Sequence, residues 1–138
     1  MSQPVSSEIQ TLSIAPMLSV RNGAKAVAFY KAAFGAGELM RFDAADGTVV
    51  AHLSVGGAQF WVADESAEHL NFSPESLGGC SARMIMTVDH PESAVALALA
   101  AGATSVLPVA KRHGWLIGRV VDPFGHHWEI GKPLSEDF

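Results

Sequence analysis

The chain has 138 residues, 49% of them hydrophobic and 17% charged, with a formal net charge of −5. This length and apolar content suit a single domain with a full core, and the negative balance argues against nucleic acid or an anionic membrane as a partner. No apolar run reaches the about 18 residues of a membrane span, and residues 1–10 lack a signal-peptide pattern. Because Cys80 is the only cysteine, no internal disulfide can form; we predict a buried thiol and a cytoplasmic protein.

The first part of the chain predicts a strand, a helix and three more strands. Apolar runs and alternations mark the strands. Asn22-Gly23 opens the helix and Gly35 ends it, while Gly47 and Gly56-Gly57 mark turns. The predicted strands cover residues 12–20, 38–42, 48–55 and 58–63, and the helix covers residues 24–34.

The second part repeats this order after a polar segment. Residues 64–79 are rich in Ser, Pro and Gly, which predicts a linker with one helical turn. Pro91 suits a first helical position, and Asp122-Pro123-Phe124-Gly125 predicts a tight turn. The predicted strands cover residues 83–88, 104–109, 118–121 and 127–130, with a helix over 91–101 and a loop over 111–115.

An internal repeat relates the two parts. A shift of 68 residues places Val20 on Val88, Ala26 on Ala94 and Phe60 on Trp128. One offset across three separate segments indicates a duplicated unit. The predicted fold class is α+β, with two tandem βαβββ modules forming one cupped, mostly antiparallel sheet in a single domain. The modules are placed at about 12–64 and 80–131, with a linker over about 65–79.

Two motifs resemble those of a known family. One is Phe-Tyr-Lys-x-Ala-Phe-Gly-Ala at 29–36, and the other is Gly-Arg-Val-Val-Asp-Pro-Phe-Gly-His at 118–126, followed by Trp128-Glu129. Together they resemble the vicinal oxygen chelate superfamily, which includes glyoxalase I, bleomycin-resistance proteins and extradiol dioxygenases. The first motif is similar to the PhnB-like branch. The resemblance covers roughly residues 12–131 and is more specific for the fold than for any one reaction.

The resemblance implies a metal site with one ligand from the first and one from the last strand of each half. The corresponding positions are Ala15, Trp61, Arg83 and Glu129, and the 68-residue offset pairs them independently. Only Glu129 can bind a metal, because alanine and indole offer no donor atom and arginine stays protonated. Sites for zinc or iron need about three or four protein ligands. We therefore expect the usual metal site to be lost and no cofactor to be bound.

The same positions favour a small-molecule site. Trp61 offers a flat wall for stacking. Arg83 either binds an anionic ligand through its planar guanidinium or forms an ion pair with Glu129. A purely packing role for all three side chains also stays open, although buried ion pairs roughly break even at best.

The histidines offer further candidates. His52 lies on a predicted strand and is expected to face the cup, as a ligand-binding residue or as an ordinary strand residue. His127 lies two residues before Glu129, so both share a sheet face, and with His52 they are a candidate displaced metal site. His113 and Trp115 belong to a predicted loop that either covers the ligand or forms a basic hairpin tip.

We therefore predict a metal-independent protein that binds a small molecule in the sheet cup, similar to the bleomycin-resistance group. The predicted ligand-binding residues are Trp61, Arg83, Glu129, His52, Trp115 and His113. The alternative is a metal-dependent lyase or dioxygenase at the displaced site; acid–base catalysis by Glu129 or His52 is a weaker third option. Whether the protein is an enzyme stays open. A homodimer is expected, with the modules pairing either within one chain or between chains.

Overall fold

A computed structural model describes residues 11–135, so the interpretation of residues 1–10 lies outside the described part. The first module contains β1 (Met17–Val20), α1 (Gly23–Phe34), β2 (Gly37–Asp43), β3 (Val49–Val55) and β4 (Ala58–Asp64). A 3-10 turn (Ala67–His69) and the short helix α2 (Pro74–Leu77) follow. The second module contains β5 (Arg83–Thr87), α3 (Pro91–Ala101), β6 (Thr104–Arg112), β7 (Trp115–Val121) and β8 (His127–Pro133). We call these units module 1 and module 2.

The strand order confirms the α+β fold class with two tandem βαβββ modules. Module 1 forms a four-stranded sheet in the order β1-β4-β3-β2, and module 2 forms one in the order β5-β8-β7-β6. The β1–β4 and β5–β8 pairs are parallel and the other pairs are antiparallel. Hydrogen bonding therefore makes two sheets within one chain, which corrects the expectation of one continuous sheet.

The predicted first strand is too long by five residues. β1 begins at Met17, and its parallel pairing with β4 opens where the Trp61 N–H donates to the Pro16 carbonyl over 2.8 Å. Pro16 has no N–H with which to extend the ladder. The apolar residues before Pro16 favour a strand when the sequence is considered alone. The sequence pattern does not show where the partner strand ends, and that end limits β1.

The linker contains two short helical turns where one was predicted. The Ser73 hydroxyl accepts a hydrogen bond from the Ser76 N–H and so caps α2, and the Ser73 N–H is held by Glu65 at 2.8 Å. Cys80 is exposed, which corrects the expected buried thiol. Among residues 11–135, no helix is long and apolar enough to cross a membrane.

Helix α1 follows its sequence signals closely. The Asn22 side chain accepts from the Lys25 N–H at 3.0 Å, and Gly35 ends the helix with a φ of 70°, which glycine adopts without steric cost. The face toward β3 and β4 is fully buried at Ala26, Val27 and Tyr30. Apolar burial of this kind contributes most of the stability of a short helix.

The two modules meet on the sides of the sheets that carry the helices. Helix α1 packs on α3, and an aromatic cluster joins the modules: Phe29, Tyr30, Phe34, Phe60, Phe124 and Trp128. Buried Asp122 accepts hydrogen bonds from the Tyr30 hydroxyl, the Trp128 indole and two backbone N–H groups. The tight turn predicted at Asp122 thus becomes the polar centre of the junction between modules.

Candidate functional site

Each sheet packs its helix on one side and leaves the other side open. We call the uncovered side of β1–β4 open face 1 and the uncovered side of β5–β8 open face 2. Strand pairing places one row of neighbouring residues across each sheet. The row on open face 1 is Met17, Trp61, His52 and Met40; the row on open face 2 is Ile85, Glu129, Arg119 and Leu107.

Open face 2 contains a pocket of about 400 Å³ whose walls all come from module 2. Its lining combines apolar side chains with a small number of ionisable ones, the composition expected of a small-molecule site. The lining residues are Ile85, Leu107, Arg112, His113, Trp115, Ile117, Gly118, Arg119 and Glu129. Three of the six predicted ligand-binding residues, His113, Trp115 and Glu129, therefore lie in one pocket.

Arg83 and Glu129 form the ion pair that was one of the two sequence interpretations. The Arg83 Nε donates to a Glu129 carboxylate oxygen. Arg83 stands on β5, two residues before Ile85, and reaches Glu129 from the edge of the pocket. The Glu129 carboxylate is thus partly neutralised before any ligand arrives.

Of the two arginines that line the pocket, neither of which has a carboxylate partner within residues 11–135, Arg119 is the one that donates to no backbone carbonyl. Its Nε donates to the Nδ1 of His127 at 3.1 Å. Burial, followed by the Arg119 charge, holds the pKa of His127 below its usual value, which keeps the ring neutral and able to accept this hydrogen bond. Neither terminal nitrogen of Arg119 has a hydrogen-bond partner in the described part of the chain. This leaves a two-pronged donor for a ligand.

The predicted loop over 111–115 is a tight hairpin. Arg112 pairs with Trp115 across β6 and β7, leaving a two-residue turn. His113 has a φ of 51° and Gly114 a φ of 79°, the left-handed pair of a type I′ turn. The Arg112 Nη1 donates to the carbonyls of Pro108 and Ile117 at 2.8 and 2.7 Å. The structure therefore forms the hairpin tip that was one of the two sequence alternatives, and this tip is a wall of the pocket.

Trp61 and His52 stand elsewhere, on open face 1. Their rings stack with centroids 4.1 Å apart and planes 3° apart. The His52 Nε2 is buried and has no hydrogen-bond partner among the described residues. Within one chain, neither side chain lines the pocket of open face 2. The six predicted ligand-binding residues are therefore split between two faces.

The displaced metal site is not assembled within the described part of one chain. His127 and Glu129 belong to module 2 and His52 belongs to module 1. Over residues 11–135, no three His, Cys, Asp or Glu side chains come together in a geometry that holds a metal ion. The side chains of the pocket that could bind a metal are His113 and Glu129, and Glu129 is already paired with Arg83. Two donors do not fit a zinc or iron centre, which needs about three or four protein ligands.

The family assignment follows from this fold and these motifs. The family model described as a glyoxalase-like domain matches residues 16–131. The chain belongs to this glyoxalase-like family. The match confirms the resemblance to the vicinal oxygen chelate superfamily, while the PhnB-like assignment stays a prediction.

Relatives of this glyoxalase-like domain share most of its length. The uncharacterized protein Rv0887c of Mycobacterium tuberculosis is 36% identical over 129 residues, covering 90% of this chain and 76% of that protein. The crystal structure of TioX from Micromonospora sp. ML1 is 28% identical, with a TM-score of 0.67, and the match covers 88% of this chain and 99% of that chain. A glyoxalase/bleomycin resistance protein/dioxygenase family enzyme from Burkholderia phytofirmans PsJN is 21% identical, with a TM-score of 0.69 and coverage of 86% and 95%. This last likeness shows the shared fold.

A second cavity of the glyoxalase-like domain, about 500 Å³, lies where β5 meets the β3–β4 hairpin. Its lining is apolar apart from Gln59 and Thr87, and it contains no ionisable side chain. Such a cavity has no charged group to orient a ligand, so the pocket of open face 2 is the better candidate site.

Sequence reasoning missed Arg119 as a binding residue. In the sequence, Arg119 stands only as a member of the motif at 118–126. A usable signal was present, since Arg119 alternates with Ile117 on β7 and so shares a sheet face with it. The residue directly opposite on β8 is Glu129, which was already a candidate.

Proposed function

We propose that this glyoxalase-like domain binds a small amphipathic anion, such as an aromatic or alkyl carboxylate or phosphonate, in the pocket of open face 2, and that it does so without a metal. The observation that carries the proposal is the free two-pronged end of Arg119 on the wall of an apolar pocket. Planar guanidinium groups match carboxylate and phosphonate oxygens in a bidentate manner.

The charges of the pocket support the sign of the ligand. Its lining contains two arginines and one carboxylate, and the adjacent Arg83 adds a third cation. The whole chain carries a net charge of −5, so the local positive balance runs against the charge of the rest of the molecule. A local cationic site on an acidic protein favours a small anion over an extended polyanion, which the remaining surface would repel.

The apolar walls support the amphipathic character. Leu107, Ile117 and Trp115 stand around the ionisable groups, and burying a ligand's hydrocarbon part against them contributes about 25 cal/mol per Å² of apolar area. An inorganic anion gains nothing from these walls. The cytoplasmic location predicted from the single cysteine remains part of this proposal.

A matched pair of probes tests the ligand class. We expect 2-naphthoate to bind the wild-type protein at least about tenfold more tightly than its neutral counterpart 2-naphthamide, because only the carboxylate engages Arg119. Isothermal titration calorimetry measures both affinities directly. Equal affinities, or no binding of naphthoate, would contradict the proposal.

A further inference from the structure

The second cavity has a counterpart in the other half of the molecule. Under the 68-residue repeat, Phe60 and Thr87, which line the cavity, correspond to Trp128 and Ser19. The counterpart of the cavity is therefore the place where the β7–β8 turn meets β1. A duplicated unit allows these two places to be compared directly, residue by residue.

The counterpart is filled by two side chains of the β7–β8 turn. Phe124 is buried, and its ring centroid lies 6.1 Å from that of Phe29 on α1. The His126 Nε2 lies 2.9 Å from the Ser19 carbonyl oxygen; because a carbonyl only accepts, this nitrogen carries the proton and donates. β1 is an edge strand of its sheet, so His126 supplies the donor that a neighbouring strand would otherwise provide.

The β3–β4 turn carries neither of these side chains. Ala58 stands at the position of His126, and the two glycines Gly56 and Gly57 replace the three residues 123–125 of the other turn. Both glycines have positive φ values, of 55° and 90°, which disfavour a residue with a large side chain. The missing imidazole and phenyl rings account for the cavity between this turn and β5.

One backbone acceptor at the cavity lacks, within residues 11–135, the donor that its counterpart has. β5 is an edge strand, and the Val88 N–H donates to the Gly131 carbonyl of β8 at 2.9 Å. Because backbone groups alternate in direction along a strand, the carbonyl of Thr87 points to the opposite, unpaired edge. Thr87 is the counterpart of Ser19, whose carbonyl binds His126. A molecule in the cavity can supply the corresponding hydrogen bond.

The walls of the second cavity favour a neutral aromatic ligand. No ionisable side chain lines it, so a charged molecule would lose hydration there without gaining a partner. Phe60 and Trp128, whose ring centroids are 5.5 Å apart, form its buried base. Met84 and Met86 on β5 add thioethers, which pack favourably against ring edges. Apolar cavities of sufficient volume bind small aromatic molecules.

We infer that the second cavity is a binding site for a small neutral aromatic molecule with a hydrogen-bond donor, of the indole or phenol class. The ring takes the space that side chains of the β7–β8 turn fill at the counterpart. Its N–H or O–H donates to the Thr87 carbonyl as His126 donates to Ser19. The site shares Ile85 with the anion pocket but none of the ionisable residues, so it binds independently of Arg119.

Indole and 1-methylindole test the ligand class. Both molecules are neutral and similar in size, but only indole has an N–H donor. We expect indole to bind the wild-type protein about threefold to tenfold more tightly than 1-methylindole, because one hydrogen bond to a carbonyl distinguishes them. Isothermal titration calorimetry measures both affinities. Equal affinities, tighter binding of 1-methylindole, or no binding of indole would overturn the inference.

Nitrogen-15 NMR of the tryptophan side chains locates the bound indole. Trp128 lines the second cavity and Trp115 lines the anion pocket, and Trp→Phe variants assign the two Nε1–H resonances. We expect unlabelled indole to shift the Trp128 resonance saturably and to leave that of Trp115 in place. A shift confined to Trp115, or none at either residue, would overturn the inference. Failure of 2-naphthoate to shift Trp115 would contradict the proposed function alone.

Filling the cavity from within the chain tests the same site by mutation. Ala58→His places an imidazole where module 2 has His126, and we expect it to weaken indole binding about tenfold or more while 2-naphthoate binding stays unchanged. Ala58 is exposed, so the circular dichroism spectrum should be retained. Ala67→His is the matched control, since Ala67 is exposed on the 3-10 turn and does not line the cavity. Equal indole affinities for these two variants would overturn the inference.

Discussion

Arg119 lies directly opposite Glu129 in the β7–β8 pair, yet the carboxylate of Glu129 is held by Arg83 from the β5 side. This arrangement leaves the terminal nitrogens of Arg119 free among the described residues while its Nε rests on His127. An arginine whose obvious partner is already occupied is available to a ligand anion. The position that the resemblance assigns to a metal ligand, Glu129, thus helps to set the charge of an anion pocket.

Removing the Glu129 charge should strengthen anion binding. The Glu129→Gln variant loses a negative charge close to the bound carboxylate, while Arg83 and Arg119 keep their positive charges. We expect 2-naphthoate to bind about threefold to tenfold more tightly and 2-naphthamide to bind unchanged. Calorimetric titration of the variant with both probes checks this, and weaker naphthoate binding would show that Glu129 itself contacts the ligand.

Addition of a divalent metal should leave the melting temperature of the protein unchanged. A metal that binds only the folded state raises the melting temperature, but Glu129 is paired with Arg83, and no three suitable donors meet within residues 11–135. We expect chelator-treated protein to show no shift with Zn²⁺, Ni²⁺, Mn²⁺, Fe²⁺ or Co²⁺, and purified protein to contain far less than one metal per chain. Stoichiometric metal with a clear shift would restore the lyase or dioxygenase alternative.

His127 should make the folding free energy depend on pH. Its pKa is lowered in the folded protein, first by burial and then by Arg119, while in the unfolded chain it keeps the ordinary value of about 6.5. Below that value, the unfolded chain takes up a proton that the folded protein does not, so stability is full above about pH 6.5 and falls as the pH drops toward the folded pKa.

The variant His127→Gln should flatten this pH dependence. Urea unfolding of wild type and variant between about pH 7.5 and 5 measures how the free energy of unfolding changes with pH. We expect the number of protons taken up on unfolding to be smaller by up to about one in the variant. His69→Gln, an exposed histidine of the linker, is the control. Identical slopes for His127→Gln and wild type would contradict the assigned cause.

Asp122 should dominate the stability of the junction between modules. Its buried carboxylate accepts from the Tyr30 hydroxyl, from the Trp128 indole at 2.9 Å and from two backbone N–H groups. Replacing it with alanine leaves these donors buried without partners, and we expect a loss of about 3–5 kcal/mol in the free energy of unfolding.

Tyr30→Phe removes one of these hydrogen bonds and should cost about 1–2 kcal/mol. Denaturant titrations of both variants measure these losses. Asp89→Ala is the control, since Asp89 is exposed and its side chain has no hydrogen-bond partner among residues 11–135, so its stability should stay near that of wild type. An Asp122→Ala protein no less stable than Tyr30→Phe would contradict this account of the junction.

Features set by local chemistry were predictable from the sequence. Helix α1 begins and ends where Asn22 and Gly35 indicated, because a side-chain cap and a left-handed glycine act within a few residues. The internal repeat and the motif at 118–126 predicted the fold class, which the strand order confirms. The ion pair of Arg83 with Glu129 was one of the two alternatives that the positions implied by the resemblance left open.

Features set by pairing over long distances were not predictable. The repeat offset places His52 on Val120, a buried residue, whereas strand pairing makes Arg119 the counterpart of His52. The reason is that the paired positions are one residue further apart in module 2: Glu129 is ten positions after Arg119, whereas Trp61 is nine positions after His52. A shift of one residue reverses the face on which a strand side chain lies.

Long-range packing also explains why the residues predicted to share one cup lie on two separate sheet faces. The sequence placed Trp61, His52 and Glu129 in one cup, but the packing of α1 on α3 turns the two open faces outward. Periodicity shows which face of a strand is apolar, not which other sheet will cover it. In module 2 the sequence left two alternatives for residues 111–115, a covering loop and a basic hairpin tip, and the pairing of Arg112 with Trp115 shows the hairpin tip.

Titration of the Arg119→Gln variant with 2-naphthoate tests the central claim most directly. Arg21→Gln is the matched control, since Arg21 lies outside the pocket, pairs with Glu65 on module 1 and loses the same charge. We expect Arg119→Gln to weaken naphthoate binding about tenfold or more and to leave naphthamide binding unchanged, while Arg21→Gln binds both probes as the wild type does. Equal naphthoate affinities for the two variants would contradict an anion site at Arg119.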